Sequence, residues 1–111
     1  MEILPNADNA VIPIEKFTEY SLNPLKQKDK AEAFRKALGY NLDNYQKLID
    51  NVKSNITNYP ATPKSDIGYG QRYQIIMDLI GENGKSAKVL TAWLLEKDTG
   101  ITKLISVYVD E

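Results

Sequence analysis

The side chains that could do chemistry lie mostly in the C-terminal half of this sequence. Four of them fall within runs that favour β-strands: Arg72, Thr91, Ser106 and Tyr108. The chain has no histidine and no cysteine, which excludes thiol chemistry and removes the usual general base. Proton transfer would therefore need a perturbed Lys, Tyr, Asp or Glu, and an arginine could act only as a charge stabiliser.

Three consecutive runs predict an antiparallel β-meander that would position these groups. The runs span residues 71–80, 85–96 and 101–109. Glu82-Asn83-Gly84-Lys85 separates the first two runs, and Asn-Gly favours a type I′ turn because both central residues need φ > 0. Lys97-Asp98-Thr99-Gly100 separates the second pair, with glycine supplying a permissive backbone.

These turns would set a register and sort the strand residues onto two faces. If Glu82 pairs with Lys85 and Lys97 with Gly100, Thr91 lies opposite Ser106. One face is apolar and is expected to form the core: Tyr73, Ile75, Met77, Leu79, Leu90, Ala92, Leu94, Ile105, Val107 and Val109. The other face is polar and aromatic, unlike a solvated face rich in Lys and Glu: Arg72, Gln74, Asp78, Thr91, Trp93, Thr102, Ser106 and Tyr108.

The N-terminal half predicts three helices. The first spans residues 14–22, with Pro13 at its first position and Asn23-Pro24 at its end. The second carries Ala31, Phe34 and Leu38 at helical spacing and stops at Gly39. The third starts from an Asp43 N-cap and runs to about residue 57 along an apolar stripe.

Two connecting segments complete the chain. Residues 10–12 are apolar and could form an edge strand or a strap across the core. Residues 58–68 contain Pro60 and Pro63 and are expected to form an exposed loop. The expected fold is one α+β domain over 1–111, with a helical half (13–57), a loop (58–69) and a β-meander (70–109). Three helices would pack on one face of a three- to four-stranded antiparallel sheet, and the other face would stay open.

Composition limits the partners. The 111 residues carry a net charge of -1, which gives no overall electrostatic bias towards nucleic acid or membrane. No signal peptide is visible, and no apolar run approaches the ~20 residues of a membrane span. Asp and Glu residues are scattered without the spacing of metal ligands, so no metal site and no cofactor are expected.

Short patterns recur along nearly the whole chain. The first half contains Leu4-Pro5-Asn6, Ala10-Val11-Ile12-Pro13, Lys16, Tyr20, Leu22, Lys28-Asp29-Lys30-Ala31, Phe34 and Leu38-Gly39-Tyr40. The second half contains Tyr69-Gly70-x-Arg72-Tyr73, Gly81-x-Asn83-Gly84, Thr91-Ala92-Trp93 and Leu104-x-Ser106-x-Tyr108-Val109. Together they resemble an uncharacterised bacterial domain family found alone and at the C-termini of polymorphic toxins and phage head-morphogenesis proteins. That family often has a glycine where this chain has Gln27.

The setting of that family is similar to that of the barnase–EndoU–colicin–RelE group of metal-independent ribonucleases. The resemblance implies N-terminal helices, an antiparallel sheet and an active site on the exposed sheet face. It also implies a toxin-type endoribonuclease acting on RNA, with tRNA as one candidate substrate and a cognate immunity protein as partner. The domain would act in the cytoplasm, or be delivered into a target cell's cytoplasm within a larger secreted toxin.

Under that resemblance, each polar residue has an expected role. Arg72 would clamp the phosphate, because its planar fork matches the phosphate oxygens. Thr91 and Ser106 would donate hydrogen bonds to it, and Tyr108 or Lys30 would transfer the proton. Four further residues would bind substrate, the aromatic ones by stacking on bases: Lys28, Trp93, Gln74 and Tyr69.

Each role has a structural alternative. Arg72 and Asp78 could pair across the sheet, and Thr91 opposite Ser106 would be a good cross-strand pair without any function. Trp93 could belong to a second small core or an oligomer contact. The lysines at 26, 28 and 30 could be a solvated start of a helix.

Two other functions therefore stay open, a protein-binding module of inhibitor or immunity type and a homodimerising small domain. A concave positive patch near Arg72 and the lysine segment would favour RNA. A flat apolar patch around Trp93 would favour association.

Overall fold

An antiparallel sheet of four strands dominates the C-terminal half of the computed structural model, which describes residues 1–66 and 68–110. The strands lie side by side in chain order: β1 (Thr62–Asp66), β2 (Gly70–Ile80), β3 (Ser86–Glu96) and β4 (Thr102–Val109). The three predicted strands are confirmed as β2, β3 and β4. With the helices below, they confirm the α+β class.

β1 corrects the expectation of an exposed loop over 58–68. Its sequence, Thr-Pro-Lys-Ser-Asp, lacks the apolar alternation of a strand, and all five residues are exposed. Pro63 fits here because β1 is an edge strand that pairs only with β2, where the missing N–H need not face a neighbour. Ile67, assigned to the same loop, and Glu111 at the end of the expected domain lie outside the described residues.

Two α-helices, α1 (Lys28–Leu38) and α2 (Tyr45–Asn55), precede the sheet. α1 stops as predicted at Gly39, whose φ is 76°. α2 follows Asn44, so the Asp43 cap is wrong by one residue. The Asn44 side chain serves the preceding loop, since its oxygen accepts the Asn41 N–H at 2.8 Å and its amide donates to the Gly39 carbonyl at 3.0 Å.

The first predicted helix is present, but its central turn is π-helical over Phe17–Ser21. The Leu22 N–H donates to the Phe17 carbonyl at 2.9 Å, five residues back. We call Phe17–Ser21 the π-turn. π-helical turns are rare and occur frequently at functional sites, so this segment is a candidate position for function.

Of the two alternatives for residues 10–12, the structure favours the edge strand, reduced to a single bridge in which Val11 lies parallel to Lys103. The Val11 N–H donates to the Thr102 carbonyl at 2.8 Å, and its carbonyl accepts the Leu104 N–H at 2.9 Å. The N-terminal segment thus covers the first part of the outer edge of β4.

The register between β2 and β3 differs from the prediction by one residue. Gly81 and Lys85 close the turn, with the Gly81 N–H donating to the Lys85 carbonyl at 2.8 Å. The loop therefore has three residues, and only the last, Gly84, has a positive φ, of 79°. A three-residue loop with glycine in the left-handed region is a common alternative to the type I′ turn.

This shift exchanges the two faces of β3, because side chains alternate along a strand. Tyr73 lies opposite Trp93 and Ile75 opposite Thr91. The core expectation is confirmed for Ile75, Met77, Leu79, Val107 and Val109. The face is wrong for Leu90, Ala92 and Leu94, which share the opposite face with Arg72, Gln74 and Ile76, although Leu90 and Leu94 are buried there. We call that opposite face the outer face.

β4 contains one extra residue relative to β3. Trp93 lies opposite Leu104, as predicted, but Ala92 lies opposite Ser106, so Ile105 is a β-bulge. Beyond the bulge Thr91 faces Val107, and the predicted Thr91–Ser106 pair is wrong.

The core joins side chains from both helices to side chains from the strands. Its members include Phe17, Phe34, Leu38, Leu48, Val52, Ile75, Met77, Val89, Trp93 and Leu104. Thr91 is tolerated there because its hydroxyl donates to the Ile75 carbonyl at 2.9 Å and accepts the Trp93 indole N–H at 2.8 Å. Each buried polar atom of this pair thus has a partner, as burial requires.

Candidate functional site

A cleft of about 290 Å³ lies where the π-turn, the start of α1 and the bulge of β4 meet. We call it the lysine cleft. Its wall is formed by seven residues: Lys16, Tyr20, Ser21, Gln27, Lys30, Ile105 and Ser106. The π-turn and the β-bulge at Ile105 therefore lie on opposite sides of the lysine cleft.

The bulge and the π-turn each place side chains in this wall. Ile105 and Ser106 both reach the cleft, although neighbouring residues of a regular strand point to opposite faces. The Ser21 hydroxyl donates to the Val107 carbonyl and ties the π-turn to the edge of β4. The cleft is thus held by a direct hydrogen bond between its two walls.

The start of α1 supplies the third wall. Gln27 and Lys30 are three residues apart and so lie on the same side of the helix. The Gln27 side chain forms no capping hydrogen bond, and its amide is part of the cleft wall instead. The N-terminal end of a helix also carries a partial positive charge, which favours anions.

The lysine cleft is locally positive in a chain of net charge -1. Its wall contains two lysines and no carboxylate. The Lys16 Nζ lies 5.6 Å from the centroid of the Tyr20 ring, and the Lys30 Nζ lies 5.0 Å from that of Tyr108.

Elsewhere in the described part of the chain, five basic side chains form ion pairs, and neither cleft lysine is among them: Arg35, Lys36, Lys47, Lys88 and Lys103. The cleft lysines thus contact aromatic rings rather than carboxylates.

Three predicted site residues come together here. Lys30 and Ser106 line the cleft, and the Tyr108 ring lies beside the Lys30 ammonium. Lys28 is the first residue of α1 and is exposed next to the cleft, outside its wall.

Two predicted site residues lie in the core instead. The side chains of Thr91 and Trp93 are both 0% exposed. The one-residue register shift turns them inwards, so their expected contacts with substrate are incompatible with this structure. The apolar surface patch expected around Trp93 is absent for the same reason.

The remaining predicted residues are separate from the cleft. Arg72 and Gln74 lie on the outer face of β2, two strands from β4, which corresponds to about 10 Å at the usual strand spacing. Tyr69 is exposed just before β2, where its carbonyl accepts the Lys97 N–H at 3.0 Å. Asp78 pairs with Lys88 at 3.1 Å, not with Arg72.

Sequence reasoning missed Lys16, Tyr20, Gln27 and Ile105 as site residues. A signal was present for the first two, because Lys16 and Tyr20 are four residues apart and share one side of a helical segment. The bulge that brings Ile105 into the wall left no such pattern.

The described residues also bear on metal sites and on membrane-spanning helices. No three His, Cys, Asp or Glu residues among them are grouped as a metal ion would require. None of their helices combines the length and apolar character needed to cross a bilayer.

A comparison with known protein families identifies the family of this chain. One family model matches residues 3–111. The chain belongs to the DUF6883 family. Its description is a domain of unknown function, so the expected membership of an uncharacterised family over nearly the whole chain is confirmed. No curated protein and no solved structure matches the chain. For this DUF6883 domain, a toxin context and nuclease activity remain predictions.

Proposed function

We propose that this domain is a toxin-type endoribonuclease that cleaves RNA in the lysine cleft without a metal ion. The observation that carries the proposal is the convergence of Lys16, Lys30 and Ser106 on one concave site. Two ammonium groups and a hydroxyl match the needs of a phosphodiester, which presents two anionic oxygens and accepts hydrogen bonds.

Charge supports phosphate as the ligand. An ammonium about 4 Å from a phosphate oxygen attracts it by about 4 kcal/mol at the effective dielectric of a protein surface. Two such groups without a competing carboxylate in the wall form a local anion site despite the overall charge of -1.

The proposed reaction is transesterification. The ribose 2′-oxygen forms a bond to phosphorus and gives its proton to water, while the bond from phosphorus to the 5′-oxygen breaks. Lys16 and Lys30 stabilise the charge that builds on the non-bridging oxygens. Tyr20 in the wall, or Tyr108 beside Lys30, donates the proton that the leaving 5′-oxygen takes up. The products are a 2′,3′-cyclic phosphate and a 5′-hydroxyl.

The proposal also takes the helices to cover only the core face of the sheet. The outer face, with Arg72 and Gln74, then stays open but makes no contact with the RNA phosphates. RNA and, in a toxin, a neutralising protein that covers the cleft are the partners this function requires.

The direct test compares the wild type with the Lys16→Ala, Lys30→Ala double variant on labelled RNA. Cleavage by the double variant should fall at least about 100-fold, because loss of a single transition-state donor already costs that much. The matched control is the Lys36→Ala, Lys53→Ala double variant, which removes the same charge from exposed positions outside the cleft.

The control should stay close to the wild type. Equal cleavage by both double variants, or no cleavage of any RNA by the wild type, contradicts the proposal. The identity of the new RNA ends tests the chemistry separately.

A second candidate is a binding module that uses the outer face, as an inhibitor-type domain or a homodimer. The observation in its favour is an exposed apolar side chain on that face: Ile76 is 37% exposed, and it lies opposite Leu90 of β3. Sedimentation of the wild type and of Ile76→Asp tests the homodimer. A dimer that dissociates in the variant would support it, and a monomeric wild type would exclude it.

A further inference from the structure

A second cleft, of about 250 Å³, lies on the other side of the segment that joins the π-turn to α1. We call it the apolar cleft. Its wall is formed by eight residues: Leu22, Pro24, Ala31, Glu32, Arg35, Asn41, Leu42 and Asp43. Neither the proposed reaction nor the family description assigns it a role.

The two clefts share a wall. Ser21 lines the lysine cleft and Leu22 the apolar cleft; Lys30 lines the first and Ala31 the second. Consecutive Cα atoms are 3.8 Å apart, so the clefts are neighbours along the surface. On α1, Lys30 lines the lysine cleft, whereas Ala31 and Arg35, one turn apart, line the apolar cleft.

The dividing segment is held by the side chain of Asn23. Its amide donates to the Thr18 carbonyl at 3.1 Å, and its oxygen accepts the Leu25 N–H at 3.0 Å. The Asn23 carbonyl accepts the Gln27 N–H at 2.9 Å. Local hydrogen bonds thus hold the segment between the clefts in place.

The walls of the apolar cleft suit a flat ring with a polar edge. Leu22, Ala31 and Leu42 supply apolar surface, and Asn41 and Asp43 supply donors and acceptors at the rim. Arg35 donates to Glu32 at 2.5 Å, and this hydrogen bond lowers the pKa of the Glu32 carboxyl. Apolar walls with a few placed polar groups are typical of small-molecule sites.

We infer that the apolar cleft binds one nucleobase of the RNA strand whose phosphate lies in the lysine cleft. The inference rests on the proposed function, because continuity with the phosphate site selects a base as occupant. It makes the substrate single-stranded, since a base paired in a duplex cannot enter a pocket of its own.

The test measures binding of a single-stranded RNA tetranucleotide by fluorescence anisotropy. A 2′-O-methyl group at every position prevents cleavage, because the 2′-oxygen then has no proton to lose and cannot attack the phosphorus. Four further probes each lack one base and keep the complete sugar–phosphate chain. Wild-type protein should bind one abasic probe about tenfold more weakly than the intact strand, because that probe no longer buries the apolar surface of a base against Leu22, Ala31 and Leu42.

Variants then locate the effect. Leu42→Ala should remove the difference between the intact and the abasic probe, and Pro24→Ala should reduce it. Both side chains are exposed enough, Leu42 at 39%, for truncation to spare the core. The matched control is Leu25→Ala, which removes a 94% exposed side chain from the same segment but outside the cleft wall.

Three results would overturn the inference. Equal binding of all probes by the wild type shows that no base has its own pocket. A loss in Leu25→Ala as large as that in Leu42→Ala points to a surface contact of the loop. Equal affinity of duplex and single strand removes the reason for a base pocket. The proposed function fails separately, if the Lys16→Ala, Lys30→Ala double variant binds the intact probe as tightly as the wild type.

Discussion

The two ends of helix α1 are built in opposite ways. At the C-terminal end, the carbonyl of Leu38 accepts the Asn83 N–H at 3.3 Å, and the β2–β3 turn packs directly on the helix. At the N-terminal end, Gln27 provides no side-chain cap, and the lysine cleft opens beside it. We call these the closed end and the open end.

The difference shows where this fold uses its polar groups. At the closed end, Asn51 donates to the Ile80 carbonyl and to the Tyr40 hydroxyl, both at 3.0 Å, so side-chain amides tie the helical half to the sheet. At the open end, Lys16 and Lys30 contact aromatic rings and face a cavity. Substitutions at the closed end should therefore change stability, and those at the open end should change binding.

The largest expected effect is that of Gly81→Ala at the closed end. A Cβ on Gly81 would lie 2.1 Å from the Leu38 carbonyl oxygen, a backbone atom that cannot move aside alone. We expect the free energy of unfolding to fall by about 3 kcal/mol or more, the upper range for overpacking. Urea denaturation measures it, with the exposed Lys85→Ala in the same turn as control. A change below about 1 kcal/mol, typical of a surface substitution, would contradict the closed packing.

The next largest effect is expected for Thr91→Val. The sequence analysis had assigned Thr91 to the functional site. The substitution removes the acceptor of the buried Trp93 indole N–H and should cost about 1–3 kcal/mol of stability. Cleavage by the folded variant should not change, because Thr91 is fully buried. A loss of cleavage without a change in stability would instead show that Thr91 acts in the functional site.

Ser106→Ala should show the reverse phenotype. Ser106 is half-buried in the wall of the lysine cleft, so its stability should change by less than about 0.5 kcal/mol, as for most surface positions. Cleavage should fall about tenfold, since a net hydrogen bond to a charged group contributes roughly 1.5 kcal/mol. Thermal unfolding and initial cleavage rates, measured on the same preparation, separate the two quantities.

Much of the fold could be predicted from local patterns. Alternation predicted β2, β3 and β4, and Gly39 marked the end of α1, because these signals depend only on neighbouring residues. β1 was missed because an edge strand with every residue exposed needs no apolar alternation. The first hairpin was misjudged because Asn83-Gly84 suits both a two-residue and a three-residue loop, and packing decides between them.

The site was predictable only in part for the same reason. Lys30, Ser106 and Tyr108 were assigned to one site and do lie close together, but Ser106 does not pair with Thr91 as expected. The bulge at Ile105 and the π-turn of Phe17–Ser21 create the cleft. Both depend on contacts between distant segments, such as the hydrogen bond from Ser21 to Val107, which no local pattern encodes.

The measurement closest to the central claim is the salt dependence of RNA binding. For single-stranded RNA, each phosphate contact made by a lysine contributes about 0.7 to the slope of log affinity against log salt concentration. The Lys16→Ala, Lys30→Ala double variant should therefore lower that slope by about 1.4, while Arg72→Ala leaves it unchanged. If the slope instead falls in Arg72→Ala and stays constant in the double variant, RNA binds on the outer face and the lysine cleft is not the site.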